Sequence, residues 1–83
     1  MQLLYFGWVR TRIGIGRETL ELPPDIADVK SLVEWLKQRG DGYREALEDL
    51  TVIRVAVNQE MVDLDAEIAP GDEVALFPPM TGG

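Results

Sequence analysis

The sequence predicts an α+β domain in which a mixed sheet of four or five strands packs one face against one main helix. Three observations predict it: strand-like segments near both ends, an amphipathic helix between them, and a length of 83 residues. A chain of this length forms one domain. One helix cannot cover both faces of such a sheet, so the economical arrangement leaves the second face without a helix.

The first two strands are predicted from apolar and aromatic segments that a glycine-containing stretch separates. Residues 2–9 are rich in Leu, Tyr, Phe, Trp and Val, which is typical of a strand. Gly14-Ile15-Gly16 has neither the spacing nor the following helix of a nucleotide-binding fingerprint, so it is interpreted as a hairpin turn. Residues 17–22 form the second strand, which ends at Pro23-Pro24 because proline has no N–H for a ladder.

The main helix is predicted to begin after Asp28, a residue type that favours the N-cap. Ser31 is therefore interpreted as a first-turn residue rather than a nucleophile, and Gly40 as the C′ residue that ends the helix. Residues 43–49 are predicted to add one or two helical turns. The buried stripe follows the i, i+3, i+4, i+7 spacing and consists of Val29, Leu32, Val33 and Leu36.

The C-terminal part of the chain predicts the remaining strands. Residues 52–57 form the third strand, and Met61-Val62 forms a very short fourth. Residues 69–72 read Ala-Pro-Gly-Asp, a strong turn signal, and residues 73–77 form the last strand. The order and size resemble the ubiquitin-like β-grasp fold. That resemblance implies that the first and last strands lie side by side and parallel at the sheet centre.

Polar residues within the strands indicate which side chains face away from the helix. Because alternate residues of a strand share one face, the polar positions assign the rest. The outward set is Gln2, Leu4, Phe6, Trp8, Arg54, Ala75 and Phe77. The inward set is Leu3, Tyr5, Gly7, Val9, Ile53, Val55, Val57, Val74 and Leu76.

The outward set is strongly apolar, and a monomer rarely exposes such a patch unless a partner binds there. Phe6 and Phe77 are the sharpest candidates for partner contacts, since Phe77 lies directly before the C-terminal tail. Two alternatives stay open at this point. The register is shifted by one residue, which would reverse the faces, or loops cover the patch.

Composition excludes several classes of site. The chain has no Cys and no His, which excludes disulfides, thiolate or histidine metal ligation, and Cys–His or Ser–His catalysis. We therefore expect no metal site, and the acidic pairs Asp63/Asp65, Glu48/Asp49 and Asp72/Glu73 are interpreted as solvated or turn residues.

The net charge of −7 argues against a nucleic-acid partner and is explained by solubility or by a partner with a basic groove. No apolar run is long enough to span a membrane, which argues against a membrane partner. Met1 leads straight into a strand-like segment without the parts of a signal peptide, so a cytoplasmic location is expected.

The chain ends in Pro78-Pro79-Met80-Thr81-Gly82-Gly83, which predicts a β-grasp domain over residues 1–79 and a flexible tail over residues 80–83. The prolines end the last strand and stiffen the exit of the tail. The two glycines place a main-chain carboxylate on a thread without side chains, which can enter a narrow channel. Extended, the last four residues reach about 13–14 Å beyond Pro79.

Four segments together resemble the small sulfur-carrier subunits of molybdopterin synthase, and the resemblance spans the whole chain. They are Tyr5-Phe6-Gly7 followed by Val9-Arg10, Ala56-Val57-Asn58-Gln59, residues 71–79, and the ending Met80-Thr81-Gly82-Gly83. A terminal Gly-Gly alone is weak evidence. Gly-Asp-Glu-Val-Ala followed by Pro-Pro and a terminal Thr-Gly-Gly is far more specific.

The resemblance implies a function for Gly83. A ubiquitin-activating-like adenylyltransferase uses ATP and Mg²⁺ to adenylate its carboxylate, and sulfur from a persulfide then replaces AMP to leave a thiocarboxylate. The tail next enters the large synthase subunit and delivers sulfur to cyclic pyranopterin monophosphate. The implied assembly is a heterotetramer, and the implied small subunit is non-catalytic and binds no cofactor itself.

The resemblance also implies which residues contact partners. Arg10 is implied to pair with an acidic residue of the activating enzyme, and a solvated loop charge is the equal alternative. Gly82 and Gly83 are both expected to need glycine, because a Cβ at either position would clash near the nucleotide site of the activating enzyme or restrict φ and ψ. Contacts with the large subunit are implied for Phe6, Phe77, Pro78, Pro79, Met80 and Thr81.

Other functions fit the same tail. A sulfur carrier for thiamin thiazole, tRNA thiolation or cysteine synthesis would differ only in its acceptor. A ubiquitin-like protein modifier would instead form an isopeptide bond through Gly83. A β-grasp interaction module would have an incidental Gly-Gly. The Phe-Pro-Pro-x-Thr-Gly-Gly ending favours the molybdopterin carrier.

Overall fold

The parallel pairing of the first and last strands organises the sheet. The computed structural model describes residues 1–79, and the predicted tail, residues 80–83, lies outside the described residues. Along the chain the elements are β1 (Gln2–Tyr5), α1 (Gly7–Ile13), β2 (Arg17–Thr19), α2 (Val29–Lys37), α3 (Asp41–Leu47), a 3₁₀ helix (Leu50–Val52), β3 (Arg54–Val57), β4 (Glu60–Val62) and β5 (Glu73–Phe77).

The five strands form one mixed sheet in the order β2-β1-β5-β3-β4. Strands β1 and β5 are parallel, with Gln2 opposite Glu73 and Tyr5 opposite Leu76. The other neighbouring strands are antiparallel. The predicted α+β class and the parallel contact between the first and last strands are confirmed.

The inner face of the sheet and the helices enclose one hydrophobic core. The predicted stripe of α2 lies wholly inside it, and Ala46 and Leu47 of α3 are also buried. The strands contribute the inward residues that alternation predicted, which are Leu3, Tyr5, Val55, Val74 and Leu76. Val57 is half-buried against the same cluster.

The segment after β1 differs from the prediction. The strand ends at Tyr5, and residues 7–13 form α1 instead of continuing the strand to Val9. Gly14 adopts φ +101 and donates its N–H to the Arg10 carbonyl at 2.8 Å, which ends the helix. The predicted hairpin turn at residues 14–16 was therefore wrong, because the connection from β1 to β2 contains a helix.

The end of α2 also differs. Asp28 is its N-cap as predicted, and Ser31 completes a reciprocal capping box with it, so Ser31 is a first-turn residue. The helix ends at Lys37, with Gln38 as its C-cap. Gly40 is the N-cap residue of α3, with φ 163, and not the C′ residue of α2. The helical turns predicted over residues 43–49 are confirmed for residues 43–47, which belong to α3, whereas residues 48 and 49 lie beyond its end.

The sheet is fastened at the end opposite the tail by the turn between β3 and β4. Asn58 and Gln59 adopt φ 51 and 70, the pair of positive values that a two-residue turn between antiparallel strands requires. The Asn58 side-chain amide donates to Asp72 Oδ1 at 3.1 Å, and its oxygen accepts from the Glu73 backbone at 3.1 Å. Asp72 also accepts from Ala69 N at 2.8 Å, which confirms its predicted turn role.

A polar network around Glu18 joins β1, β2 and α3. Its carboxylate accepts hydrogen bonds from Tyr5 Oη at 2.7 Å, Tyr43 Oη at 2.6 Å and Arg39 Nη1 at 2.9 Å. Burial opposes ionisation of Glu18, but these three donors outweigh it and hold the pKa of its carboxyl below the usual value of 4.5. Burial and the contact with Glu18 raise the pKa of Tyr43 to about 12.

We expect Glu18→Gln to lower the free energy of unfolding at neutral pH by about 1–2 kcal/mol, because charge-assisted hydrogen bonds are lost. The lowered pKa in the folded state means that ionised Glu18 stabilises the fold above pH 4.5. This contribution is lost as the pH falls through the lowered pKa. Urea unfolding from pH 7 to pH 3 should show the two proteins converging on acidification.

Glu21→Gln is the matched control for the network. Glu21 is exposed just after β2, and its substitution removes the same charge as Glu18→Gln. It should leave the unfolding free energy close to the wild-type value over the same pH range. A difference between wild type and Glu18→Gln that stays constant down to pH 3 would contradict the stabilising role of the ionised carboxylate.

We expect Gly42→Ala to destabilise the domain where α3 crosses α1. A Cβ on Gly42 would lie 2.5 Å from the Arg12 carbonyl oxygen, and this backbone atom cannot move without shifting α1. Overpacking costs about 1–3 kcal/mol, which exceeds the gain of up to about 1 kcal/mol from replacing glycine in a helix. Thermal unfolding should show a lower Tm. Gly40→Ala, whose Cβ would meet Tyr43 at 3.8 Å, is the control and should cost less.

Candidate docking face and tail exit

The carboxyl-terminal ends of β1 and β5 meet at one edge of the sheet. Phe6 extends the ladder by donating its N–H to the Leu76 carbonyl at 3.1 Å, and then caps α1. Phe6 is 49% exposed. An open apolar depression of about 450 Å³ lies beside it, lined by Phe6, Gly7, Phe77, Pro78 and Pro79. Of the predicted partner-contact residues within residues 1–79, the structure therefore brings Phe6, Phe77, Pro78 and Pro79 together. Arg10 is not among the residues that line the depression.

Gly7 supports the exit of the chain from β5. It adopts φ +58, a conformation that side chains rarely take. A Cβ at this position would lie 2.7 Å from Cγ of Pro78, so the proline ring occupies the space that a side chain would need. The backbone of Gly7 therefore packs against Pro78 and fixes the direction in which the chain leaves the sheet.

The strand register defines the outer face, the side of the sheet opposite the core. Leu4 lies opposite Ala75, which lies opposite Ala56, and Phe77 lies opposite Arg54. The predicted outward orientation of Leu4, Arg54, Ala75 and Phe77 is confirmed, since each is exposed or half-buried beside buried neighbours. The outer face comprises Gln2, Leu4, Arg17, Thr19, Arg54, Ala56, Met61, Glu73, Ala75 and Phe77.

Two assignments after Tyr5 were wrong because α1 replaces the strand. Trp8 is not part of the outer face; it packs against the core, and the Arg12 guanidinium lies 4.4 Å from its ring centroid. Gly7 is not an inward strand residue but the first residue of the helix. Val9 is fully buried as predicted, although it belongs to α1.

Met61 is a candidate that the sequence prediction missed. It lies on β4 opposite Ala56 of β3 and is 61% exposed, the highest value among the large exposed apolar residues of the described chain. The turn residues Asn58-Gln59 could have predicted the position of Met61 from the sequence. A two-residue turn fixes the register of the strands that it joins and so places Met61 on the same face as Ala56.

Arg10 lies in α1 rather than in the predicted loop after the first strand. It is exposed, and its guanidinium lies beside Gly16. Within residues 1–79 it is in neither of the ion pairs, Lys37–Glu34 and Arg39–Glu18. Its pairing with an acidic residue of a partner stays a prediction.

The predicted reactive end lies outside the described residues. Met80, Thr81, Gly82 and Gly83 are all in this segment, so their predicted roles stay predictions. Residues 1–79 contain no group of three Asp or Glu side chains placed to hold a metal ion. None of the helices in the described part of the chain is long and apolar enough to cross a membrane.

A mixed sheet with adjacent parallel terminal strands, a helix-covered inner face and an open outer face defines a ubiquitin-like β-grasp protein. Its last strand leads directly into a proline-stiffened exit beside the exposed Phe6 and the half-buried Phe77. The chain belongs to the ThiS family, whose model matches residues 3–83.

Relatives of similar length share about a third of the sequence. A protein of Haemophilus influenzae named molybdopterin synthase sulfur carrier subunit is 37% identical over 83 residues, which cover 100% of this chain and 99% of the relative. A protein of the same name from Homo sapiens is 32% identical over 88 residues, covering 100% of this chain and 93% of the relative. The family resemblance seen in the sequence is confirmed.

Solved structures show the same fold. SAMP1 from Haloferax volcanii superposes with a TM-score of 0.74 and 29% identity, covering 100% of this chain and 98% of that one. Subunit 1 of the molybdopterin-converting factor of Helicobacter pylori, solved in complex with subunit 2, superposes with a TM-score of 0.65 and 26% identity. The superposition covers 99% of this chain and 96% of that one. The predicted β-grasp fold is confirmed.

Proposed function

We propose that this chain is the sulfur carrier subunit of a molybdopterin synthase, acting from the cytoplasm. The observation that carries the proposal is the full-length match to proteins of that name, which includes the outer face, the tail root and the terminal Gly-Gly. The position of Phe6, Phe77 and Pro78 at one edge supports it, because a partner that binds there also receives the tail.

The first step activates the terminal carboxylate of Gly83. A carboxylate is a poor electrophile, so its oxygen attacks the α-phosphorus of ATP and pyrophosphate leaves. The resulting acyl adenylate carries a good leaving group. A ubiquitin-activating-like adenylyltransferase would supply the ATP site and Mg²⁺, and the chain itself contributes a terminus without side chains that fits close to the nucleotide.

The second step exchanges oxygen for sulfur. A persulfide on a donor protein attacks the carbonyl carbon of Gly83, and AMP leaves. A thiol then reduces the resulting acyl disulfide, which releases the thiocarboxylate and oxidises two thiols to a disulfide. This chain has no Cys, so the sulfur resides on its terminus and the thiols belong to the partners.

The third step delivers the sulfur. The thiocarboxylate is a soft nucleophile at neutral pH, and the tail presents it to cyclic pyranopterin monophosphate in the large subunit. Its sulfur bonds to a carbon of that substrate and displaces an oxygen substituent, and water then cleaves the acyl C–S bond and returns Gly83 to the carboxylate. Two carriers are consumed for each dithiolene because two sulfur atoms are added. The complex of subunits 1 and 2 of the Helicobacter pylori factor supports a large-subunit partner, and we propose a heterotetramer with a large-subunit dimer at its centre.

We expect incubation with an activating enzyme of this type, Mg-ATP and a persulfide donor to replace one oxygen of the Gly83 carboxylate by sulfur. Intact-mass measurement should show the corresponding increase, and hydroxylamine should trap the preceding adenylate as the hydroxamate. A chain extended by one alanine after Gly83 is the control and should stay unmodified. No mass change in wild type, where a control carrier is converted, would contradict the proposal.

We expect Phe77→Ala to weaken binding of the large subunit by at least 2 kcal/mol, about 30-fold in Kd, because aromatic residues at the centre of an interface are typical hot spots. The Tm should change little, since Phe77 lies on the outer face and is half-buried. Titration calorimetry and thermal unfolding of the same samples give the comparison.

Trp35→Ala is the matched aromatic control for this comparison. Trp35 is also half-buried, but it lies on α2, on the opposite side of the sheet, and packs against the core. Its truncation should lower the Tm without changing the Kd. A larger effect of Phe77→Ala on Tm than on binding would show that Phe77 is a core residue.

A further inference from the structure

The outer face carries an unusual charge distribution for this chain. The whole protein has a net charge of −7, yet the charged side chains of the outer face are Arg17, Arg54 and Glu73. Glu73 lies opposite Gln2, at the end of the face away from the tail exit. The half of the face nearer the tail therefore has two arginines and no carboxylate.

These two arginines lie on opposite sides of the apolar part of the face. Arg17 is on β2 opposite Leu4, and Arg54 is on β3 opposite Phe77. The order β2-β1-β5-β3 places three inter-strand spacings between their strands, which is about 14 Å across the sheet. The exposed or half-buried apolar residues between them are Leu4, Ala75 and Phe77.

Both guanidinium groups are available for a partner. Arg17 and Arg54 are exposed, and neither takes part in the ion pairs found within residues 1–79. The Nη1 atom of Arg54 donates to the carbonyls of Thr51 at 3.2 Å and Ile53 at 3.1 Å. These bonds hold the guanidinium in place at low entropic cost and leave its other N–H groups for a carboxylate.

We propose that Arg17 and Arg54 form a two-point charge clamp for the large synthase subunit. The partner surface that fits is an apolar patch with a carboxylate on each side, one for each arginine. The clamp rests on the proposed function and adds to it the chemistry of the docking surface. It aligns the domain along one axis on its partner, and the chain exit beside Phe77 and Pro78, which lies at one edge only, distinguishes the two opposite orientations about that axis.

The proposed clamp acts against the overall charge of the chain. The net charge of −7 repels the carboxylates of the partner at long range, so the two arginines must make the contact locally. Charges at the rim of an interface act mainly on the association rate and its salt dependence, whereas the apolar centre sets most of the affinity. Arg17 and Arg54 should therefore affect the rate constant kon more than the dissociation rate.

The test is stopped-flow binding of the full-length chain to the purified large subunit of the same organism. Arg17→Gln and Arg54→Gln should each lower kon about five-fold at low salt, and the double variant should lower it by about the product. Near 0.5 M salt, where the Debye length is about 4 Å, the differences should largely disappear. Arg54→Lys keeps the charge, so its kon should be closer to the wild-type value than that of Arg54→Gln.

Arg44→Gln is the matched control, because it removes the same charge from an exposed position on α3, away from the outer face. It should leave kon near the wild-type value. If Arg17→Gln and Arg54→Gln give the same kon as Arg44→Gln, the clamp is overturned. The proposed function would still stand in that case, provided that wild type is thiocarboxylated. Failure of wild type to bind the large subunit and to be thiocarboxylated would overturn the proposed function as well as the clamp.

Discussion

The parallel pairing of β1 with β5 is the constraint on which the rest of this structure depends. It joins the two ends of the chain in the middle of the sheet, from Gln2 opposite Glu73 to Tyr5 opposite Leu76. Because parallel strands finish at the same edge, Phe6 and Phe77 emerge together there. The helices then cover the inner face, so these two phenylalanines and the exit of the chain from β5 lie at a part of the domain that the helices leave open.

Much of this arrangement could be predicted from the sequence. Alternation identified the buried side chains of β1, β3 and β5, and the helical period identified the buried stripe of α2. The region after Tyr5 could not be assigned from local propensity, because Phe6-Gly7-Trp8-Val9 favours a strand while tertiary contacts favour a helix. The i, i+4 pairs Trp8–Arg12 and Val9–Ile13 carry the helical signal, which is weak over seven residues.

The position of α1 has two physical causes that a sequence alone does not reveal. Gly7 takes a positive φ beneath Pro78, a contact between residues that are distant in the chain. Gly42 allows α3 to approach the Arg12 carbonyl closely. The Glu18 network then ties β1 and β2 to α3 through Tyr5, Tyr43 and Arg39. These hydrogen bonds hold the end of β1, directly before Phe6, against α3, and no hydrophobic periodicity in the sequence predicts them.

The single outer face has a consequence for how a carrier works in a cycle. Under the proposed function, an activating enzyme and a synthase would both have to bind the single tail that leaves the sheet beside Phe77 and Pro78. In that case occupancy by one partner would block the other, and loading and delivery would be successive binding events separated by dissociation. Under this exchange, very tight binding at either stage would trap the carrier, so throughput favours contacts that are specific but short-lived.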